Sequence, residues 1–447
     1  MDIFGKGKYH KNHSSRFFSR FSANALYNNK YKTPGIGCSG NRDEVDEDMN
    51  LLVFNCGSSS QGFTVFHQNE AGEPDIPAFG KARNVATRTK AAAVLEWTIN
   101  GVSGMTESDF STHRLAAEKI LEVLASHKIR IDAVGHRFVN GGSYFERTAR
   151  LDEDAMQKLR SCLPLAPIHN PNSYSVIEVC REKLPGIPQY AAFDTAFHAQ
   201  MDPVHTAYAI PQEDARANGW RKIGFHGLSY QYVSQRAAAL LGKPLNRVRL
   251  IMCHLGTGGS SVCAFANGRS VDTSMGYSPV AGLVMSTRSG DMDPEIVLDL
   301  VRKGMSPDQA SDYLNKKCGL VGLSGFSSNL GEIIEAARQG SRECDLAFRV
   351  YVNRLRSYIG AFLYQMNGAD ALVFTDDAGV KFPEMRAAVC ADAGFLGIKL
   401  DPEANAAYDK KSEACLSTPD SQILIWVIPT NEEKVIFDEI MADQQQK

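Results

Sequence analysis

The chain predicts an α/β protein of two domains with a cleft between them, and three observations carry that expectation. At 447 residues with 43% apolar content, it is long enough to bury two separate cores. A unit of apolar strand, small-residue loop and second strand occurs twice: Leu51–Phe54 leads into NCGSSS, and VRLIMCH from Val248 leads into LGTGGSS and VCAF. Between such strands lie stretches whose apolar residues recur at helical spacing, the pattern of strands flanked by helices.

Composition removes several function classes. A formal charge of -3, with no basic stripe beyond the extreme N-terminus, gives no electrostatic case for nucleic acid. No apolar run approaches a membrane span, so no membrane partner is expected. The ten cysteines include no CxxC pair and read as reduced, mostly buried thiols of a cytoplasmic protein. Residues 1–48 stand apart, being rich in Lys, Arg, Ser, Asn and Phe and then acidic through DEVDED. They read as a disordered extension, with a targeting segment or a true start at Met49 as alternatives.

In chain order, strands are expected at 50–55 and 62–67. A helix follows at 112–127, with Leu115, Ile120, Leu121 and Leu124 on one face, and then a strand at 131–135 running into HRFVNGG. Next come a helix at 152–162, LAPIHNPNS as a loop, a helix at 173–183, and a strand ending in AAFDTAFH. A second block starts after about residue 195 with the 248–273 strand unit, turning at Asn267-Gly268, a strong hairpin signal. Helices are expected at 294–303, 306–315, 330–339 and 342–366, the last carrying Leu346, Val350, Leu355, Ile359, Phe362 and Met366 on one stripe. ALVFT, Ala371 to Thr375, reads as a buried strand opening into a loop, and QILIWVIP as a final strand before a turn at Pro429 and a closing helix.

Polar residues at the ends of apolar strands are the candidates for chemistry: His136 and Arg137, Asp194 and His198, His226, Arg288 with Asp291 and Asp293 in STRSGDMDP, and Asn431 with Glu432. Arginine captures carboxylate or phosphate through two parallel hydrogen bonds, while Asn and Glu oxygens suit Mg2+. Singly, each has a bland reading. A strand-end Arg is a surface ion pair, an Asp is a cap, and His169 or His226 is a satisfied structural histidine. Their joint presence with two Gly/Ser loops, whose N–H groups and hydroxyls suit an anion, points instead to phosphate chemistry. No GxxxxGK[ST] or HExxH string occurs.

Taken in order, NCGSSS, HRFVNGG, LAPIHNP, FDTAFH, GFHGLSYQYV, HLGTGG, GRSVDTSMGYSP, STRSGDMDP, GLVGLSGFSS and IPTNEE resemble the acetate kinase family, which includes propionate kinases, from Met49 to the C-terminus. The resemblance implies a two-domain actin-like (ribonuclease H-like) fold, with 49–195 plus about 430–447 as one domain and 196–429, carrying the nucleotide side and the dimer interface, as the other. It implies reversible phosphoryl transfer between ATP and a short carboxylate, giving acetyl phosphate and ADP, with Mg2+ as cofactor and a homodimer as the assembly. Asn55 and Glu432 would hold the metal. Asp194, His226, Arg137 and Arg288 would be the catalytic set, and Arg137, Val139, Ile168, His169, Phe225 and Pro279 would receive the acid. Phosphates and nucleotide would lie against Ser58, Ser60, His254, Gly256, Thr257, Gly258, Asp376, Asp377 and Gly379.

This chain departs from the family pattern on the phosphate side. NxGSSSxKF becomes NCGSSSQGF, so Gly62 stands where the lysine is usual, and Thr257 replaces an Asn in HLGNG. Tyr230 takes the place of a second histidine, Ala281 that of a Glu, and DDAGVK from Asp376 to Lys381 replaces GGIGEN. Three readings remain open on the residues: a carboxylate kinase using ATP, an acyl phosphate enzyme with another carrier such as pyrophosphate, and a paralogue that binds without turnover.

Overall fold

Two mixed β-sheets, with helices on both faces of their central strands, form the architecture. The computed structural model describes residues 49–68, 74–87 and 92–444, so the extension 1–48, expected to be disordered or a targeting segment, lies outside the described residues. The first sheet comprises β1 (Met49–Cys56), β2 (Ser60–Gln68), β3 (Asp75–Arg83), β4 (Val94–Ile99), β5 (Val102–Glu107), β6 (Ala133–Phe138), β7 (Ala149–Arg150) and β8 (Gln189–Phe193), in the order β5-β4-β3-β2-β1-β6-β8-β7. The second comprises β9 (Arg249–Leu255), β10 (Ser260–Ala266), β11 (Arg269–Thr273), β12 (Ala371–Thr375), β13 (Ala414–Cys415) and β14 (Leu424–Val427), in the order β11-β10-β9-β12-β14-β13.

One plan is used twice. The meander β1-β2-β3 is antiparallel and β1 pairs parallel with β6, which pairs parallel with β8. In the second sheet β9-β10-β11 is the meander, and β12 and β14 extend it in parallel. The repeated sequence unit is the first hairpin of each copy.

Continuous apolar runs in β1 and β9 follow from coverage on both faces. Leu52 and Phe54 pack with Ala116, Ile120 and Leu124 of the helix His113–Ser126, while Leu51 and Val53 meet Val435, Ile436 and Ile440 of the closing helix Glu432–Gln444. Similarly, Ile251 and Cys253 face the helix Arg342–Gln365, and Leu250 and Met252 face Tyr230, Val233 and Ala237 of the helix Gly227–Leu240. Thus the last helix of the chain returns to the first sheet.

Three local expectations are corrected. β6 continues to Phe138, so Arg137 lies within the strand rather than beyond it, and alternation turns its side chain away from that of His136. The helix expected from 173 starts at Asn170 inside LAPIHNPNS, with Pro171 in its first turn, where the missing N–H costs no intrahelical bond. DDAGVK is a helix, Asp376–Lys381, not a loop. Asp376 takes a left-handed φ of 60° to leave β12, and the two acids sit in the first turn, where the helix dipole favours negative charge. Its far end is held by buried Arg386, which donates to the carbonyls of Gly379 at 2.7 Å and Val380 at 2.9 Å.

Of the nine described cysteines, all free, seven are buried. Among the described residues no helix is long and apolar enough to cross a membrane.

Gly135 on β6 shows how closely the closing helix seats. A Cβ there would stand 2.7 Å from Ile436 Cγ2 and 2.8 Å from Ile440 Cδ1. Gly135→Ala is expected to cost about 1–3 kcal/mol through overpacking, read as a lowered denaturant midpoint; an unshifted midpoint would mean the helix rests loosely on the sheet.

Candidate active site

The carboxyl ends of the parallel strands of both sheets open on one crevice of about 630 Å³, as expected for ligand sites of open α/β sheets. Asn55 comes from the end of β1, Arg137 from β6, Asp194 from the residue after β8, His254 from β9, Asp376 from the residue after β12, and Glu432 from the start of the helix that follows β14. Six strand ends therefore supply the polar wall. The two Gly/Ser loops face the same space and are closed by the same bond: Gly57 N–H donates to the Ser60 carbonyl at 2.9 Å, and Gly256 N–H to that of Gly259 at 3.0 Å. A second cavity of about 530 Å³ lies at the opposite end of β8, beside Arg150 and Arg181, and meets neither loop.

Arg137 is the centre of the charged network. Its Nε and Nη2 donate to the Asp194 carboxylate at 2.9 and 2.6 Å, and its Nη1 donates to Asn55 Oδ1 at 3.0 Å and pairs with Glu432 Oε2 at 2.9 Å. Four contacts leave one Nη2 hydrogen of the five-donor fork uncommitted. Burial opposes its charge, but Asp194 and Glu432 push the guanidinium above its ordinary range, so it stays cationic at every accessible pH. Asn55 Nδ2 in turn donates to Glu432 Oε2 at 3.1 Å and Glu433 Oε1 at 3.0 Å. Burial raises the Glu432 carboxyl above its usual range.

Arg288 is the opposite case. It is only 9% exposed and the one polar contact of its guanidinium among the described residues is Met285 Sδ at 4.0 Å, so it is a buried cation without a counterion. Burial holds its pKa below the ordinary 12.5. A desolvated, unpaired guanidinium is costly, and an anion arriving in the crevice would relieve it. Gly259 makes the approach possible, since a Cβ there would lie 3.1 Å from Arg288 Nη1 and 3.5 Å from His226 Nε2.

His226 adopts a left-handed φ of 62° at the start of its helix. Burial, then His254, Arg137 and Arg288, push its pKa well below 6.5, so the ring is neutral. Its Nδ1 meets Ser261 Oγ at 2.7 Å, and Ser261 Oγ meets the Tyr230 hydroxyl at 2.5 Å. With the phenol donating to Ser261 and Ser261 to Nδ1, the Nε2–H is left as a donor beside Arg288. Tyr230 thus closes a relay from the position where the family pattern has a histidine. Stacked on His226 at 4.0 Å, His254 is bonded to Ser229 Oγ at 2.9 Å and faces Asp376 Oδ2 at 3.1 Å.

Most residues singled out from the sequence converge here: Asn55, Ser58, Ser60, Arg137, Val139, His169, Asp194, Phe225, His226, His254, Gly256, Thr257, Gly258, Pro279, Arg288, Asp376 and Glu432 all line the crevice. Val139 and Phe225 belong to an apolar cluster with Ala166, Met275 and Met285 at one side of the crevice. His169 stands beside both arginines, and burial followed by those charges lowers it to about 4.

Of the site residues that the resemblance implies, three fall outside the lining, as do the strand-end candidates His136, His198, Asp291, Asp293 and Asn431. Ile168 is 40% exposed at the turn preceding its helix, so Ala166 rather than Ile168 contributes to the apolar cluster. Gly379 is buried under Phe374 within its helix, and Asp377 sits at the rim, accepting from Thr257 Oγ1 at 3.3 Å and Lys381 Nζ at 2.6 Å. His198 is buried elsewhere, bonded to Ser270 Oγ at 2.8 Å and the Phe225 carbonyl at 3.0 Å, and is structural. Sequence reading missed Lys81, Gly259, Thr430 and Glu433. Glu433 was available as the second acid of IPTNEE, whereas Lys81 becomes visible only through strand register.

The oxygen donors suit Mg2+. Glu432 and Glu433 converge on the Asn55 amide, and Mg2+ binds through one or two carboxylates while water and substrate phosphates complete its shell. Among the described residues no trio of His, Cys, Asp or Glu forms a self-sufficient cage, which that mode of binding does not require.

His254 and Asp376 form an ion pair whose pH behaviour is testable. Burial opposes the Asp376 charge, but His254 holds it down at about 2 against an ordinary 3.8; burial likewise opposes the His254 charge, but Asp376 raises it above 6.5. The aspartate's contribution is complete above pH 3.8 and is lost as pH falls through about 2, whereas the histidine's is complete below 6.5 and is lost as pH rises through its raised value. In Asp376→Asn the two strongest influences that raise the ring are gone while burial remains, opposed by Glu432 alone, so His254 should titrate lower by NMR than in the parent protein. An unmoved titration would mean that the carboxylate does not set the ring's charge.

The acetokinase family pattern matches residues 50–438. The chain is 41% identical over 399 residues to the acetate kinase of Dictyoglomus thermophilum, covering 88% of this chain and 98% of that protein. Among solved structures, acetate kinase from Entamoeba histolytica superposes with a TM-score of 0.79 at 41% identity, covering 88% of this chain and 99% of that one. Acetate kinase from Porphyromonas gingivalis gives 0.79 at 37% identity over 88% and 99%. With this coverage of sequence and fold, the chain belongs to the acetokinase family and has its actin-like fold.

Proposed function

We propose that this protein is an acetate kinase, catalysing Mg2+-dependent, reversible transfer of the terminal phosphoryl group of ATP to acetate, with acetyl phosphate and ADP as products. The observation that carries the reading is Arg288: a buried cation with no carboxylate partner, at the meeting point of two phosphate-type loops and an apolar niche. Acetate would lie with its methyl group toward Val139, Phe225 and Pro279 and its carboxylate toward Arg288. One methylene more in such a niche changes binding by about 1–3 kcal/mol, so the niche selects among small acids by size.

An acetate oxygen attacks phosphorus as the bond to the ADP oxygen breaks, and the charge spreads over the three equatorial oxygens. Arg288, the neutral His226 Nε2–H and the remaining Arg137 hydrogen stand ready to receive it. No proton need move, which suits a histidine held neutral. Asp194 positions Arg137 through two hydrogen bonds. Asn55 and Glu432, with Glu433, would hold Mg2+, which would supply positive charge against that of the phosphates. His254, Thr257, Gly258 and the Ser58–Ser60 loop would line the phosphate chain, with Asp376 and Asp377 at the nucleotide side, a reading that their shared crevice and rim supports.

The reading extends to the lobes: 49–195 with the closing helix as one, 196–429 as the other, the closing helix's packing on β1 and β6 supporting the division. It also extends to a homodimer of a cytoplasmic enzyme, which exposed Ile296, Leu298 and Val301 on one helix of the second lobe support.

Protein lacking residues 1–48 should form acetyl hydroxamate from acetate, ATP, Mg2+ and hydroxylamine; no product with any nucleotide would reject the assignment. Arg288→Ala should lower kcat by about 10²–10³, yet leave the melting temperature equal or higher, because it removes an unpaired buried charge. A large fall in stability would instead make Arg288 a structural residue. Sedimentation should give twice the chain mass, and Val301→Asp should give the chain mass; a monomeric parent removes the dimer.

A further inference from the structure

We propose that Lys81 on β3 binds the phosphoryl chain, supplying from the neighbouring strand the cation that the first loop lacks. The inference rests on the kinase reading and extends it to a residue outside every motif of the family.

Strand register places it. Asn55 of β1 pairs with Gly62 of β2, Gly62 with Lys81 of β3, and Lys81 with Glu96 of β4, so the four residues form one rung across the sheet. Directly paired residues project from the same face. Gly62, the position at which the loop lacks its lysine, therefore lies between Lys81 and the Asn55 end of the crevice, and its missing side chain leaves the way open. A Cβ on Gly62 would come within 3.6 Å of Glu433 Oε1. The opening is a side cavity of about 250 Å³, bounded by Gly62, Phe79, Lys81, Glu433 and Arg137. Lys81 also lines the main crevice.

The charge is uncommitted. Glu96, directly across from Lys81, is bonded to Arg83 at 2.8 Å, and Glu433 is engaged by Asn55. Among the described residues the Lys81 ammonium has neither a hydrogen bond nor an ion pair, although it stands beside the crevice. A flexible ammonium with three donors suits a phosphate that approaches along a loop of backbone N–H groups. Relocation of the lysine by one strand keeps the charge while clearing space beside Glu433.

Lys81 is exposed and unpartnered, so Lys81→Met is expected to fold as the parent does. It should raise the KM for nucleotide and the Kd of inorganic pyrophosphate, measured calorimetrically without acetate, each about tenfold, the loss of one charge-assisted contact. The KM for acetate should not move. Gly62→Lys added to Lys81→Met should recover both values, a rescue that a merely structural lysine would not show. Unchanged pyrophosphate affinity and nucleotide KM in Lys81→Met, or no pyrophosphate binding to the parent protein, overturns the proposal. Absence of acetate phosphorylation by the parent would reject the kinase reading alone, because the pyrophosphate titration still decides Lys81.

Discussion

The site depends on one guanidinium. Arg137 ties Asp194, Asn55 and Glu432 together, and these come from three strand ends and from widely separated parts of the chain. Each carboxylate would be costly to bury alone, and the arginine would be equally so; together they satisfy most of one another's hydrogen-bonding capacity. Loss of Arg137 would leave two buried acids facing each other, which is why its place in the network is structural as well as chemical. Its position in turn requires that β6 extend beyond the point where the apolar sequence run ends.

Around that satisfied centre the structure leaves selected groups unsatisfied. Arg288 has charge and no acid, His226 Nε2 has no partner among the described residues, and the Gly/Ser loops line open space. Such an arrangement is strained without ligand and relieved by an oxyanion. The neutral state of His226 follows from burial and from three neighbouring basic groups, and it makes the ring a donor of hydrogen bonds rather than an acid. Preorganised donors in a poorly solvated crevice act most strongly where charge is spread over the phosphoryl oxygens.

Much of this was legible in the sequence, and what was not has physical causes. Apolar runs marked β1, β6, β8, β9, β12 and β14 because strands covered on both faces need them, and the polar residues after those runs marked the crevice. β3, β4 and β5 escaped notice: their outer face is exposed, and their glycines interrupt alternation. Lys81 went with them, since its proximity to the first loop comes from pairing with Gly62 and not from any spacing along the chain. Ile168 was placed in the niche by resemblance, whereas the helix starting at Asn170 turns it outward. The change at Asp376–Lys381 was visible as composition, but its outcome, a capped helix whose first acid pairs with His254, needed the left-handed turn at Asp376 and the buried grip of Arg386.

The duplicated sheet plan has a mechanical corollary. Because the two Gly/Ser turns are equal in length and each is fastened by its own N–H to carbonyl bond, neither relies on the other for its shape. Each strand–turn–strand unit therefore brings its own closed turn to the crevice, and a substitution that loosens one turn would leave the bond that closes the other in place.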